Sequence, residues 1–361
     1  KHGIKLVLGY TVEGFKEKDN GVEVLLKDNP SLQADMVVLA IGVTPDTVLA
    51  KEAGLELGIK ESIVVNDRME TSVPDIYAAG DAVQVKHYVT GNDALISLAG
   101  PANKQGRIIA DNICGGDSRY LGSQGSSVIK VFDMTAATTG INETNAKKSG
   151  LEVDTVILSP MSHAGYYPGG KVMTMKVVFE KESYRLLGAQ IIGYEGVDKR
   201  IDVLATAIHA GLNATQLKDL DLAYAPPYSS AKDPVNMAGF MIDNIAKGTL
   251  KQWHLEDMDK ISKDKDVVLL DVRTVGEFSR GHIDGFKNVP VDELRERIGE
   301  IEIGKPVYLI CQSGLRSYIA SRILEGNGYE TYNFSGGFRF YDAVVNDRAL
   351  IEKSYACGMD Y

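Results

Sequence analysis

The chain has 361 residues, of which 44% are hydrophobic and 24% are charged, so it is long enough for two or three domains and too apolar for a disordered protein. Its net charge of −10 argues against a nucleic acid or an anionic membrane surface as a partner, and no apolar run is long enough to span a bilayer. Cys114, Cys311 and Cys357 lie far apart without a CxxC pair, which excludes a disulfide framework, argues against a metal site and favours a reducing cytoplasm.

The first 83 residues predict strands separated by turns. Asn20-Gly21 lies between two alternating runs, which is a strong hairpin signal. The apolar run over residues 34–47 predicts a strand that ends in a Gly/Pro loop, and residues 71–83 predict another short strand that leads into Gly80-Asp81. The chain starts without Met and within a strand-like run, so we expect it to be part of a longer protein.

The middle of the chain changes from strands to helices. A helix is predicted over residues 94–113, with Gly100-Pro101 near its start. Period-two alternation over residues 171–180 and 186–194 predicts two strands. An amphipathic helix follows, with one apolar face and a C-terminal glycine: Ile201, Leu204, Ala205, Ile208 and Gly211. Strands followed by helices are typical of an α+β domain.

From His254 onward the sequence predicts a small α/β domain. The runs over residues 267–273 and 307–311 are apolar apart from Asp271 and Arg273, as is typical of strands in a parallel sheet covered on both faces. Helical runs separate these strands, and we expect a linker near residues 246–253.

Cys311 lies where the second of these strands ends, and a helix is predicted from about Leu315. Open α/β sheets bind ligands at this end of their strands. The backbone N–H groups of the loop, the helix N-terminus and the charge of Arg316 all favour a thiolate, so we expect a depressed pKa and a nucleophilic sulfur. A buried core cysteine is the alternative that the residue type alone leaves open.

The spacing around this loop resembles the rhodanese family. Cys311 and Arg316 form a C-x4-R loop that Ser317 follows, and upstream segments match the family pattern: Asp271-Val272-Arg273, Glu277-Phe278, Gly281-His282-Ile283 and Asn288-Val289-Pro290. The longer C-x5-R loop of tyrosine phosphatases is excluded, since the sixth position after the cysteine is serine. The resemblance implies that Cys311 carries sulfane sulfur and that Arg316 assists it.

The motif Ala78-Ala79-Gly80-Asp81-Ala82, after the two strands predicted upstream, resembles the pyridine nucleotide-disulfide oxidoreductases. In that family the segment that corresponds to residues 34–47 closes the NAD(P)-binding domain. The segment that corresponds to residues 71–83 returns the chain to the FAD-binding domain. The resemblance implies the end of an NAD(P)-binding domain over residues 1–75 and a return segment of an FAD-binding domain over residues 76–124. It also implies that Gly80, Asp81 and Ala82 bind FAD, with the Asp81 carboxylate accepting a hydrogen bond from a ribityl hydroxyl.

Within that family, residues 163–170, 195–208 and 223–239 resemble the dimerisation domain of the coenzyme A-disulfide reductases. The resemblance implies catalytic tyrosines, Tyr166 and Tyr224, that reach into the partner subunit, with Tyr224 also next to the flavin. It further implies that Asn103 and Lys232 contact coenzyme A. From residue type alone, the tyrosines could equally be interface packing.

The sequence contains no G-x-G-x-x-G after a strand and no cysteine in the position of the reductase cysteine. We therefore expect Cys114 to be structural, Cys357 to be an exposed tail thiol, and the chain by itself to be unable to complete NAD(P)H-dependent reduction.

Together the resemblances predict an α/β protein with partial nucleotide-binding domains, an α+β dimerisation domain over residues 125–246 and a rhodanese domain over residues 254–361. They imply a homodimeric flavoprotein that uses FAD and NAD(P)H to reduce coenzyme A disulfide, persulfide or polysulfide, coupled to Cys311. Two alternatives remain: a rhodanese sulfurtransferase on a non-catalytic dimerisation scaffold, and a sulfur-binding or redox-sensing module. Disulfide or persulfide as substrate, and NADH or NADPH as reductant, also remain open.

Overall fold

The computed structural model describes the backbone of residues 3–354 and the side chains up to residue 346, so Cys357 lies outside the described residues. The chain divides into two compact units, of which one falls within Lys1–Thr44 and Tyr341–Tyr361 and the other is Pro45–Phe340.

The strands and helices of the described residues are as follows. The strands are β1 (Val12–Lys18), β2 (Gly21–Leu26), β3 (Asn29–Ala34), β4 (Val85–Lys86), β5 (Asp93–Ala94), β6 (Ser127–Val131), β7 (Met134–Gly140), β8 (Val153–Leu158), β9 (Thr174–Glu180), β10 (Leu186–Gly193), β11 (Gln252–Trp253), β12 (Val268–Asp271), β13 (Lys287–Asn288), β14 (Val307–Ile310) and β15 (Thr331–Phe334). The helices are α1 (Val48–Glu52), α2 (Ala99–Ile113), α3 (Glu143–Lys148), α4 (Val197–His209), α5 (Pro234–Ala246), α6 (Met258–Ile261), α7 (Val275–Ser279), α8 (Leu315–Glu325) and α9 (Gly337–Ser354).

The first unit contains an antiparallel sheet in the order β1-β2-β3. The predicted hairpin is confirmed, since Lys18 pairs with Gly21 across the turn. The strand predicted over residues 34–47 is wrong: those residues form no strand beyond Ala34, and Val38 and Ile41 are 76% and 91% exposed. The segment has the apolar run that is typical of a buried strand. However, no strand in the described part of the chain pairs with this segment, so its backbone groups have no ladder to join.

The strand predicted over residues 71–83 is also wrong. Tyr77 makes a single bridge to Glu70, and Gly80–Ala82 is a short 3-10 helix. Beside it the helix predicted over residues 94–113 is confirmed as α2, although it begins later, at Ala99. A small apolar cluster joins this helix to the segment before it: Met69, Val83 and Val85 with Ile108 and Ile109.

An antiparallel five-stranded sheet in the order β6-β7-β10-β9-β8 forms the centre of the second unit. Both strands predicted from period-two alternation are present, as β9 and β10. Helix α4 packs on this sheet through its predicted face, with Ile201, Leu204 and Ile208 buried. Gly211, with φ of +68°, follows the end of α4 as predicted. The α+β prediction is therefore confirmed.

A second sheet, in the order β11-β15-β14-β12-β13, is parallel throughout. Leu270 of β12 and Leu309 of β14 share a core with Ala320 and Leu324 of α8. This confirms the predicted parallel α/β fold. Trp253, the single tryptophan of the chain, is 2% exposed in the edge strand β11, where its indole N–H donates to the Leu309 carbonyl over 3.3 Å.

The two sheets of this unit contact each other along the free edge of β8. The backbone N–H of Ile157 donates to Ser335 Oγ over 3.0 Å, and Gln252 Nε2 donates to the Thr155 carbonyl over 2.8 Å. His254 Nε2 lies 3.2 Å from Asp154 Oδ1. Burial favours a higher pKa for Asp154, but hydrogen bonds from His254 and a backbone N–H lower it overall. These contacts join the parallel α/β domain to the antiparallel five-stranded sheet.

Replacing Ser335 by alanine is expected to weaken this contact. The Ile157 N–H would stay buried without an acceptor, at a cost of about 1–3 kcal/mol. We expect urea unfolding followed by Trp253 fluorescence to shift to lower denaturant concentration. Ser279→Ala is the matched control, because its exposed hydroxyl bonds only within α7. Equal midpoints for the two variants would contradict this role of Ser335.

None of the helices within the described residues is long and apolar enough to cross a membrane.

Candidate functional site

The Cys311 thiol lies at the carboxyl end of β14, in the loop before α8. Its Sγ accepts hydrogen bonds from the Gly314 backbone N–H at 3.1 Å and from Ser317 Oγ at 3.2 Å. Gly314 has φ of +101°, which directs its N–H back toward the sulfur at the start of the helix. The side chain of Cys311 is 1% exposed. Two neutral donors therefore surround a sulfur that the loop encloses.

Arg316, whose charge is expected to favour a thiolate at Cys311, also binds a carboxylate. Its guanidinium forms two hydrogen bonds with the Glu277 carboxylate, both 2.7 Å. The hydrogen bond from Arg316 lowers the pKa of Glu277 to about 2. The pKa of Arg316 is raised, chiefly by the hydrogen bond to Glu277 and to a smaller extent by electrostatic interaction with Cys311. Arg316 is thus close to the sulfur but paired with a carboxylate.

A second ion pair, which is buried, contacts the thiol loop. Arg273 and Asp271 are 1% and 0% exposed, and the Arg273 guanidinium binds both carboxylate oxygens over 2.6–3.0 Å. The same guanidinium donates to the Gly281 carbonyl at 2.9 Å and reaches Gln312 Oε1 at 3.5 Å. The Asp-Val-Arg motif therefore has a structural explanation: it connects β12 to the thiol loop.

The segment after β15 closes the loop from the other side. The backbone N–H of Phe338 donates to the Cys311 carbonyl at 2.7 Å. A Cβ on Gly337 would lie 2.7 Å from the Ser313 backbone, so only glycine fits there. Asn333, which is buried, donates to the Gly314 carbonyl at 3.1 Å. The backbone of the loop is therefore fixed at several points.

The two predicted tyrosines come together in the dimerisation-type domain. The hydroxyl oxygens of Tyr166 and Tyr224 lie 2.6 Å apart, although the residues are 58 positions apart in the chain. Both side chains are exposed, at 76% and 45%. The hydrogen bond to Tyr166 raises the pKa of Tyr224, which keeps that hydroxyl protonated. The pair can donate a hydrogen bond to a ligand at the surface.

The loops that carry these tyrosines are held by one buried arginine. Arg200 of α4 is 1% exposed and donates to Asp233 Oδ2 at 2.9 Å. It also donates to the Ser162 carbonyl at 2.9 Å and to Ser229 Oγ at 3.1 Å, in the loops of Tyr166 and Tyr224 respectively. Asp233 in turn caps α5 through the Val235 N–H. The buried pair thus joins both tyrosine loops to two helices.

A cleft of about 530 Å³ opens beside Tyr224. Its lining includes Arg200, an acidic and a further basic side chain on the segment around the start of α4, and aromatic residues: Glu195, Lys199, His163, Tyr224 and Tyr228. Lys232 is exposed in the same loop as Tyr224, one residue before the α5 cap. A lysine there can meet a phosphate group of a ligand as a point charge.

The predicted cofactor turn, Gly80–Ala82, packs against α2. The Gly80 N–H donates to Gln105 Oε1 at 2.7 Å, and a Cβ on Gly80 would lie 3.9 Å from Ala102. Asn103, one residue along α2, is exposed. Asp81 is exposed as well, so its carboxylate is available to accept a hydroxyl, which fits the chemistry of an FAD ribityl chain. The turn and Asn103 therefore lie on neighbouring elements.

No group of three or more His, Cys, Asp or Glu side chains is placed to hold a metal ion within the described range. Cys114 is a free, exposed thiol at the end of α2.

Several residues that shape these sites were missed from the sequence. Arg200 and Gln105 could not be identified, because the sequence pattern of a helix does not distinguish a buried polar residue from one on the surface. Glu277 was noticed only as part of a family pattern, although Thr274 three residues earlier forms the capping box that fixes it. The Asp233-Pro234 dipeptide was an N-cap signal that we did not use.

Three segments of the chain match known families. Residues 1–106 match the pyridine nucleotide-disulphide oxidoreductase family, and residues 126–234 match the dimerisation domain of that family. Residues 254–343 match the rhodanese-like domain.

Individual proteins resemble larger parts of the chain. An NAD(P)H sulfur oxidoreductase (CoA-dependent) from Pyrococcus abyssi is 37% identical over 235 residues, which are 65% of this chain and 52% of that protein. The crystal structure of reduced Bacillus anthracis CoADR-RHD is 46% identical with a TM-score of 0.90, covering 94% of this chain and 60% of that one. An NAD-dependent persulfide reductase from A. fulgidus is 40% identical with a TM-score of 0.83, covering 92% and 61%. The chain thus spans about half the length of the curated relatives it matches.

Proposed function

The chain belongs to the pyridine nucleotide-disulphide oxidoreductases, with a rhodanese-like domain joined to it, and we propose that the whole protein reduces coenzyme A disulfide, persulfide or polysulfide with NAD(P)H and FAD. The relatives that support this are named as a CoA-dependent sulfur oxidoreductase and a persulfide reductase. Bound FAD would pass electrons from NAD(P)H to the sulfur–sulfur bond of the substrate.

The observation that carries the proposal is the hydroxyl pair of Tyr166 and Tyr224, held at 2.6 Å by loops anchored on a buried arginine. Exposed tyrosines on loops lose their orientation unless something fixes the backbone, and here Arg200 does so. A protonated hydroxyl can donate to the sulfur of a departing coenzyme A thiolate and so stabilise it. Lys232, in the same loop as Tyr224, would bind a phosphate of the coenzyme.

We assign the sulfur-carrier step to Cys311. Its thiolate would attack the outer sulfur of a persulfide, and the electron pair of the broken bond would leave with the organic thiolate. The N–H of Gly314 and the hydroxyl of Ser317 would then face the new Cys311 persulfide. Free thiols at Cys114 and Cys311 fit a reducing compartment such as the cytoplasm.

The proposal includes a homodimer formed through residues 125–246. The edge strand β6 exposes Val128, Ile129 and Val131 at 58%, 61% and 51%, and Phe132 follows at 51%. An apolar edge of this kind is a liability for a monomer, and a partner subunit would cover it. The proposal also includes contact of Tyr166 and Tyr224 with the other subunit.

The test of the coenzyme A proposal is Lys232→Met in the full-length protein. We expect the KM for coenzyme A disulfide to rise about tenfold or more with kcat changed little, since a phosphate contact acts equally on bound substrate and transition state. The readout is NAD(P)H oxidation beside the visible spectrum, which reports bound flavin. Lys148→Met, on exposed α3, is the control.

An unchanged KM for coenzyme A disulfide in the Lys232 variant would remove Lys232 from the site. A colourless protein that forms thiocyanate without NAD(P)H would instead support a sulfurtransferase on a dimerisation scaffold.

A further inference from the structure

The Glu277 carboxylate that pairs with Arg316 is also held by its own helix. The Glu277 carboxylate, besides its two 2.7 Å bonds to Arg316, accepts from the Thr274 N–H at 3.0 Å and from Thr274 Oγ1 at 2.9 Å. Thr274 and Glu277 form a complete capping box at the start of α7. The carboxylate is thus held within its own helix independently of its contact with Arg316, which lies 39 positions later in the chain.

The ion pair between Glu277 and Arg316 lowers the net positive charge near the sulfur, where a sulfur donor would bind. Arg316 is the cation within the loop itself, and Glu277 neutralises it with a bidentate contact. Within the described residues a second guanidinium, that of Arg273, reaches Gln312 of the loop, and Asp271 neutralises it. The atoms that bond Cys311 Sγ directly are the uncharged donors of Gly314 and Ser317. The contacts around the sulfur therefore stabilise one negative charge and offer little for further ones.

Sulfur donors differ in how much charge they bring. The outer sulfur of an organic persulfide is electrophilic in the protonated form, R–S–SH. This form reacts with the Cys311 thiolate to give Cys311–S–SH, which then ionises, and R–S⁻, so the reacting atoms share one negative charge in the transition state. Thiosulfate reacts with the same thiolate to give Cys311–S–S⁻ and sulfite dianion, so three negative charges share the transition state. Only the second reaction needs an uncompensated cation beside the sulfur.

We propose that Glu277, by holding Arg316, sets the donor selectivity of Cys311 in favour of organic persulfides over thiosulfate. The inference rests on the proposed function of Cys311 as a sulfur carrier. Glu277 acts here through Arg316 and does not touch the sulfur, so it is a specificity-determining residue and not a catalytic one.

The experiment compares Glu277→Gln with the wild-type protein. Glutamine at this position keeps a capping-box side chain for Thr274, so α7 should retain its start, while the negative charge is lost. The quantity measured is the rate constant for loading one sulfur atom on Cys311, without NAD(P)H, by rapid quench and intact mass. The donors are thiosulfate and glutathione persulfide at the same low ionic strength.

We expect Glu277→Gln to accelerate loading from thiosulfate about tenfold and to change loading from glutathione persulfide by less than about twofold. Added salt should reduce the gain, and Arg316→Met in the same protein should abolish it. Glu300→Gln is the matched control, because it breaks a comparable pair with Arg297 in the same domain, outside the thiol loop. That variant should leave both rates unchanged.

Equal changes with both donors, or no gain with thiosulfate, would overturn the role of Glu277 while leaving Cys311 as a carrier. A wild-type protein that loads sulfur from neither donor would instead contradict the proposed function itself. A gain that survives Arg316→Met would show that Glu277 acts by another route, and the inference would fall.

Discussion

The Cys311→Ser variant is expected to lose thiocyanate formation from a sulfur donor and cyanide by roughly a thousandfold or more. A hydroxyl has the size to accept the hydrogen bonds from Gly314 and Ser317, so the loop should keep its conformation. It stays protonated at neutral pH, however, and cannot hold sulfane sulfur. Intact mass after treatment with the donor should show one added sulfur in the wild-type protein and none in the variant.

Cys114→Ser is the matched control for this experiment. Cys114 is exposed, whereas Cys311 is 1% exposed, so a reagent that modifies thiols without selectivity would load Cys114 first. We expect the Cys114 variant to load sulfur and turn over like the wild-type protein. Undiminished turnover in Cys311→Ser would remove the sulfur-carrier assignment. Stoichiometric loading of Cys311 without repeated turnover would favour a sulfur-binding or redox-sensing module.

The parts of the fold that were predicted correctly are those whose strand partners lie in the described chain. β12 and β14 are short apolar runs, and each finds a parallel neighbour. The apolar run after Ala34 has the same local pattern but pairs with nothing in that range, and Ile41 is 91% exposed. Hydrophobic sequence predicts what a segment would do inside a sheet, and the pairing depends on partners that a local pattern does not contain.

The candidate sites show the same division between local and distant information. The position of Cys311 between a strand and a helix follows from adjacent residues, so it could be predicted. The Glu277 carboxylate that binds Arg316 is 39 positions away in the chain, so this ion pair could not be predicted from the residues around the loop. The tyrosine pair was reached only through resemblance to a family, since no physical rule joins residues 58 positions apart.

Arg200→Ala is expected to lower the free energy of unfolding by about 3–5 kcal/mol, because it leaves the Asp233 carboxylate buried without its partner. The same change frees the loops of Tyr166 and Tyr224, which Arg200 holds through the Ser162 carbonyl and the Ser229 hydroxyl. Chemical denaturation measures the first effect. The second should appear as a raised KM for coenzyme A disulfide in the full-length protein. Asp202→Ala, on the exposed side of α4, should change neither.

A double variant separates loss of stability from loss of positioning. Arg200→Met with Asp233→Asn leaves no buried charge, and asparagine can still cap α5, so most of the lost stability should return. The hydrogen bonds to Ser162 and Ser229 stay absent, so the KM should remain raised. Recovery of both quantities together would mean that Arg200 matters only for folding. Recovery of stability alone would mean that the hydrogen bonds from Arg200 to the two loops orient the tyrosine pair.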